Sequence, residues 1–123
     1  PLNNNTCKCI QSIRTFEIFL CNDKETKLKI LISVQSIIQT NRLLNLDLRY
    51  FELSRVELSA FRNLINLNSL DIGNNYIKYL QVGLFDQNIN LNILNLDSNK
   101  IEILKNKSFS TLAKLVRLSF RYN

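Results

Sequence analysis

From Leu43 onward, apolar residues return every 24 positions. One column holds Leu43, Leu67, Leu91 and Leu115, and a second holds Leu46, Leu70, Leu94 and Leu118. A third holds Leu48, Ile72, Leu96 and Phe120. Farther along each unit come Leu53, Ile77 and Ile101, then Val56, Leu80 and Leu104, then Phe61, Phe85 and Phe109. Leu64 and Leu112 share a column that Asn88 interrupts, where the neighbouring Ile89 is expected to fill the space. The near alternation in LNSLDI and LNILNL predicts short strands with one buried face. The wider, irregular apolar spacing that follows each strand does not support a long helix. A single unit of this kind cannot bury its own apolar side; stacked on copies of itself, it shares one continuous core with them. The expected units are 43–66, 67–90, 91–114 and a partial 115–123, preceded by a segment, 1–42, that lacks the repeat.

One polar column runs among these apolar ones: Asn75, Asn99 and Asn123. At the bend after a strand, backbone N–H and C=O groups turn inward and need partners. A buried amide carries both a donor and an acceptor, so a column of them can bridge successive turns. Phe51 stands where the first member should be, and the first turn is therefore expected to be irregular.

The pattern LxxLxLxxNxIxxLxxxxF, from Leu43 to Asn123, resembles the leucine-rich repeat in its 24-residue form with a late phenylalanine. The resemblance implies an α/β solenoid: a right-handed horseshoe with a parallel concave sheet and a convex side mostly of loop or short helix. It also implies that the phenylalanines stack as a spine along the convex side. This form is most similar to that of animal extracellular proteins and receptors.

Residues 1–42 hold all three cysteines, Cys7, Cys9 and Cys21. Three thiols without a histidine make a poor metal site, so no metal is expected. A cap that closes the end of the core is the better fit. The segment resembles the cysteine-rich N-terminal flank of extracellular leucine-rich repeat proteins, C…CxC…C. That resemblance implies a disulfide between Cys7 and Cys21, with Cys9 paired to a cysteine upstream of Pro1. A free thiol or an intermolecular bridge at Cys9 is the rival reading. Disulfides imply an oxidising compartment, hence a secreted protein or an ectodomain. Two sequons, at Asn4 and Asn106, agree with that compartment as candidate glycosylation sites.

Charge changes the picture little. The net charge of +6 is spread as +3 over residues 1–42, −2 over 43–99 and +5 over 100–123. No continuous phosphate-tracking stripe results, and nucleic-acid binding is not expected. The basic last quarter makes a sulfated glycan a secondary candidate. No uncharged apolar run reaches the roughly 18 residues a membrane-spanning helix needs. Histidine is absent, and the two glycines, Gly73 and Gly83, form no phosphate-binding loop. Asp47 and Asp71, stacked in adjacent turns, could raise one another's pKa as an acid–base pair. Two surface carboxylates facing a neighbouring arginine are the plainer reading, and no enzymatic activity or cofactor is expected.

What remains is recognition. Side chains between the strand leucines point outward in columns: Asn45, Ser69, Ile93 and Arg117; Asp47, Asp71, Asn95 and Ser119; Arg49, Gly73, Asp97 and Arg121; Tyr50, Asn74, Ser98 and Tyr122. These mix the residue types of protein-binding surfaces. Arg49, Tyr50, Asp71, Ile93, Asp97, Arg117, Arg121 and Tyr122 are the expected contacts to a protein ligand or co-receptor. The chain ends in mid-unit, like the N-terminal part of a longer array. An uncapped last turn would leave an apolar edge open to self-association, and a self-assembling scaffold is the alternative function.

Overall fold

The computed structural model describes residues 7–13, 16–21, 29–33, 44–62 and 64–123. The expectations at Asn4 and Leu43 lie outside the described residues. Strands β1 (Cys7–Ile13), β2 (Phe16–Cys21) and β3 (Lys29–Ser33) form an antiparallel sheet in that order. Its register sets Cys7 opposite Cys21 and Cys9 opposite Phe19, with a shift between Cys9 and Gln11. A second sheet is parallel and is built from β4 (Asn45–Asp47), β5 (Ser69–Asp71), β6 (Ile93–Asn95) and β7 (Arg117–Ser119), again in chain order.

The parallel sheet converts the sequence period directly into register. Leu46 pairs with Leu70, Leu70 with Leu94 and Leu94 with Leu118, each 24 residues apart. The strands are only three residues long, yet the ladder continues past them. Leu48 donates to the Asp71 carbonyl, Ile72 to that of Asn95 and Leu96 to that of Ser119. On the side opposite this sheet the described residues are turns and extended chain, joined by one parallel bridge between Tyr79 and Ile103. Among the described residues, no helix is long and apolar enough to cross a membrane.

The core lies between the parallel sheet and those turns. Leu46, Leu70 and Leu94 from the strands meet Leu53 and Ile77 beyond the bend, then Phe61 and Phe85. The phenylalanines stack across coils, Phe61 on Phe85 at 5.9 Å and Phe85 on Phe109 at 6.2 Å between ring centres. Asn88 departs from the sequence reading. It is wholly buried and fills its own place in the leucine column, while Ile89 is 55% exposed. The reason is chemical: Asn88 Nδ2 donates to the carbonyls of Phe61 and Leu64 in the preceding coil, at 2.9 and 3.1 Å. Leu104 and Phe120, which continue two apolar columns, are exposed in the last coils.

Asn75 and Asn99 are buried at the bends. Asn75 Nδ2 donates to the carbonyls of Leu48, Ile72 and Gly73. Its Oδ1 accepts from the N–H groups of Phe51 and Leu53, one coil back. Asn99 repeats the pattern, accepting from Ile77 and donating to Ile72 and Leu96. Asn123 does the same for Ile101, Leu96 and Phe120, but its side chain is exposed. Phe51 cannot supply an amide, and the first turn differs from its successors. Glu52 there adopts a left-handed φ of 57°, which its counterparts Tyr76 and Lys100 do not. Replacing Asn75 by alanine strands the buried Leu53 N–H, the part-buried Phe51 N–H and three carbonyls, and should cost about 3 kcal/mol or more. Asn123→Ala, where water can substitute, should cost under about 1 kcal/mol; urea unfolding of the two variants measures the difference.

Candidate functional site

The outer face of the parallel sheet is organised by short polar side chains at the third position of each strand. Asp47 Oδ1 accepts from the backbone N–H of Arg49, Asp71 Oδ1 from that of Gly73 and Asn95 Oδ1 from that of Asp97. Each is a local turn in which the side chain stands in for a backbone acceptor. Ser119, in the fourth strand, makes no such turn. Asp97 reaches over from the third coil instead, and its Oδ1 accepts both the Ser119 hydroxyl and the Arg121 N–H at 2.6 Å.

The same side chains link neighbouring coils. Arg49 grips Asp47 with Nε and Nη2, at 2.7 Å for the shorter contact, and lies 3.7 Å from Asp71 Oδ2. Asn95 Nδ2 donates to Asp71 Oδ2 at 3.0 Å. Gly73 completes this weave by having no side chain. A Cβ there would sit 3.1 Å from both Asp71 Oδ1 and the Asp97 carbonyl oxygen, so the floor of the face stays bare at the second coil.

Electrostatics follow from these contacts. The hydrogen-bonded Arg49 guanidinium holds the Asp47 carboxyl below its usual range. The acid–base pairing of Asp47 with Asp71 is therefore not what this geometry favours; an arginine lies against both carboxylates. Asp97 is also held low, first by the Ser119 hydroxyl, then by the Arg121 N–H and the charges of Arg121 and Arg117. Among the described residues, no cluster of three or more metal-ligating side chains occurs.

The expected contact residues thus fall into two groups. Arg49, Asp71 and Asp97 are committed to partners within the chain. Tyr50, Ile93, Arg117, Arg121 and Tyr122 carry exposed side chains. Tyr50 and Tyr122 are 71% and 81% exposed, at left-handed φ of 62° and 60°. Their column-mates Asn74 and Ser98 share that conformation. Asparagine enters it readily, whereas tyrosine pays a steric penalty of about 1 kcal/mol. Asn95 and Ser119, which tie the coils together, were not singled out from sequence, although the run Asp, Asp, Asn, Ser down one column was a visible signal.

A stacked-repeat fold with a parallel sheet and asparagine-bridged bends is a solenoid of the repeat class. Residues 65–123 match the family model of the leucine rich repeat, and the parallel sheet of four strands fits that solenoid-like fold. The matched stretch is similar to leucine-rich repeats, a family that typically consists of non-enzymatic modules for protein–protein contact. No curated protein matches the chain.

Two outcomes check this geometry. Because the folded-state pKa of Asp97 is depressed, its contribution to stability is present above the ordinary carboxylate pKa and is lost as pH falls through the folded value. Asp97→Asn should therefore lose less thermal stability than the parent between about pH 5 and pH 2, as followed by circular dichroism. Tyr50→Asn should raise unfolding free energy by about 1 kcal/mol in urea, by relieving the left-handed backbone.

Proposed function

We propose that this chain is the recognition module of a secreted or cell-surface leucine-rich repeat protein, binding a protein ligand on the concave face of its parallel sheet. The observation that carries this reading is the pair Tyr50 and Tyr122. Both aromatic side chains are open to solvent at turns whose geometry disfavours tyrosine, and neither joins the buried core. Strain kept without a packing return is characteristic of contact sites, and tyrosine is enriched where interfaces bind most strongly.

The rest of the face suits the role. Its Asx turns and cross-coil hydrogen bonds fix Asp47, Arg49, Asp71, Asn95 and Asp97 before contact, so that part of the face loses little ordering entropy on binding. The extracellular part of the reading draws support from the front sheet, where the backbone register sets Cys7 opposite Cys21. Directly opposed residues of an antiparallel pair lie within about the Cα separation that a disulfide spans. Asn106, the sequon in the turn after Leu104, is exposed, so a glycan on it would project into solvent.

Two measurements test the two halves of this proposal. Non-reducing peptide mapping of chain secreted from eukaryotic cells should recover Cys7 linked to Cys21; free thiols at both would overturn the extracellular reading. Binding to a panel of cell-surface ectodomains should then weaken about tenfold or more in Arg117→Glu/Arg121→Glu. Lys105→Glu/Lys107→Glu, away from the sheet, should leave it unchanged. Loss in the lysine pair alone would overturn the concave-face reading.

A further inference from the structure

The charges on the sheet face are ordered. Over β4 and β5 stand Asp47, Arg49 and Asp71, two carboxylates around one guanidinium. Over β6 and β7 stand Asp97, Arg117 and Arg121, one carboxylate and two guanidiniums. The part of the face over β4 and β5 is net negative by one charge, and the part over β6 and β7 is net positive by one. Among the described residues, the Arg117 and Arg121 guanidiniums have no hydrogen-bond or ion-pair partner, whereas Arg49 is held by Asp47. The β7 coil, which carries both arginines, lies two and a half strand spacings from the middle of β4 and β5, about 12 Å.

We infer that the face takes a segment of a protein partner with the opposite polarity: a lysine or arginine over β4 and β5, and an aspartate or glutamate between Arg117 and Arg121, about 12 Å away. This rests on reading the sheet face as a protein-binding surface. Complementary potentials of this kind set orientation and exclude wrong partners more than they add affinity. A uniformly anionic chain, whether a sulfated glycan or a nucleic acid, would meet repulsion from Asp47 and Asp71 along half its path. A second copy turned by a two-fold axis has the same charge match. It would also have to strip water from the whole satisfied weave around Arg49 and Asp97, which costs more than the approach of a single segment.

The test is a random peptide library displayed on phage and selected on the immobilised chain, followed by calorimetry with one synthetic peptide of the enriched sequence. The inference expects one basic and one acidic residue in fixed order. It also expects binding about tenfold weaker or more in Arg117→Glu/Arg121→Glu, restored by a peptide whose acidic residue is replaced by lysine. No enrichment, uniformly acidic peptides, or peptides without charge order would overturn it. If such unordered peptides still lose binding to the arginine variant, the sheet face remains the binding surface and only the polarity is wrong. If Lys105→Glu/Lys107→Glu alone abolishes binding, both readings fall. A dimer in sedimentation that the arginine variant dissociates would replace the partner segment with a second copy.

Discussion

After each strand this chain turns inward and carries peptide groups into a dry interior, where an unpaired one costs about 1–3 kcal/mol. Stacked leucines cannot solve that problem, because they offer neither donor nor acceptor. Asn75 solves it for two coils at once, donating to Leu48, Ile72 and Gly73 while accepting from Phe51 and Leu53. Asn99 does the same one coil later. Each amide ties its own bend to the preceding coil, so the spacing between coils is set by hydrogen bonds as well as by packing. The strands, three residues each, could not hold that register alone. Everything on the outer face inherits its positions from this inner column.

The outer face has its own polar weave, made of the same chemistry at smaller scale. Asp47, Asp71 and Asn95 each close a turn on the residue two positions on, and Asn95 also reaches back to Asp71. These bonds lie in partly exposed surroundings, where each is worth little net energy. Their effect is on freedom of motion. An arginine fixed on two carboxylate oxygens, as Arg49 is on Asp47, gives up its rotamers during folding and not during binding. Gly73 belongs to the same system, since any side chain there would press on Asp71 and on the Asp97 carbonyl.

The repeat is what the sequence shows best. A period of 24 with leucine at three strand-associated columns dictates parallel, in-register strands, and the register follows it pair by pair. The stacking of Phe61, Phe85 and Phe109 follows from their shared column in the same way. Asn88 was harder, because an amide in a leucine column looks like a gap to be filled by Ile89. It is instead a buried donor for two carbonyls, and only knowledge of where those carbonyls point reveals this. The left-handed turn at Tyr50 and Tyr122 was hidden for a related reason. Asn74 and Ser98 signal such a turn in the middle coils, but tyrosine carries no local preference for it. The division of the candidate face into committed and open side chains depended on distances of a few ångströms, which spacing alone does not encode.

That division decides where specificity can reside. A side chain already satisfied by its neighbours can shape a surface, but it gains little from a partner and loses solvation when covered. Asp47, Arg49 and Asp71 are in this position, so their combined field matters more than any single contact they could form. Arg117 and Arg121 differ: Asp97 attracts both but offers its bonds to Ser119 and to a backbone N–H. Their side-chain donors stay open on a rigid sheet, with Tyr122 beside them. Five donors on each guanidinium, held over β7 while the net charge over β4 and β5 is negative, would favour an acidic group that arrives in one orientation only. The direction in which a partner lies across the coils would then be set by charge before any close contact forms.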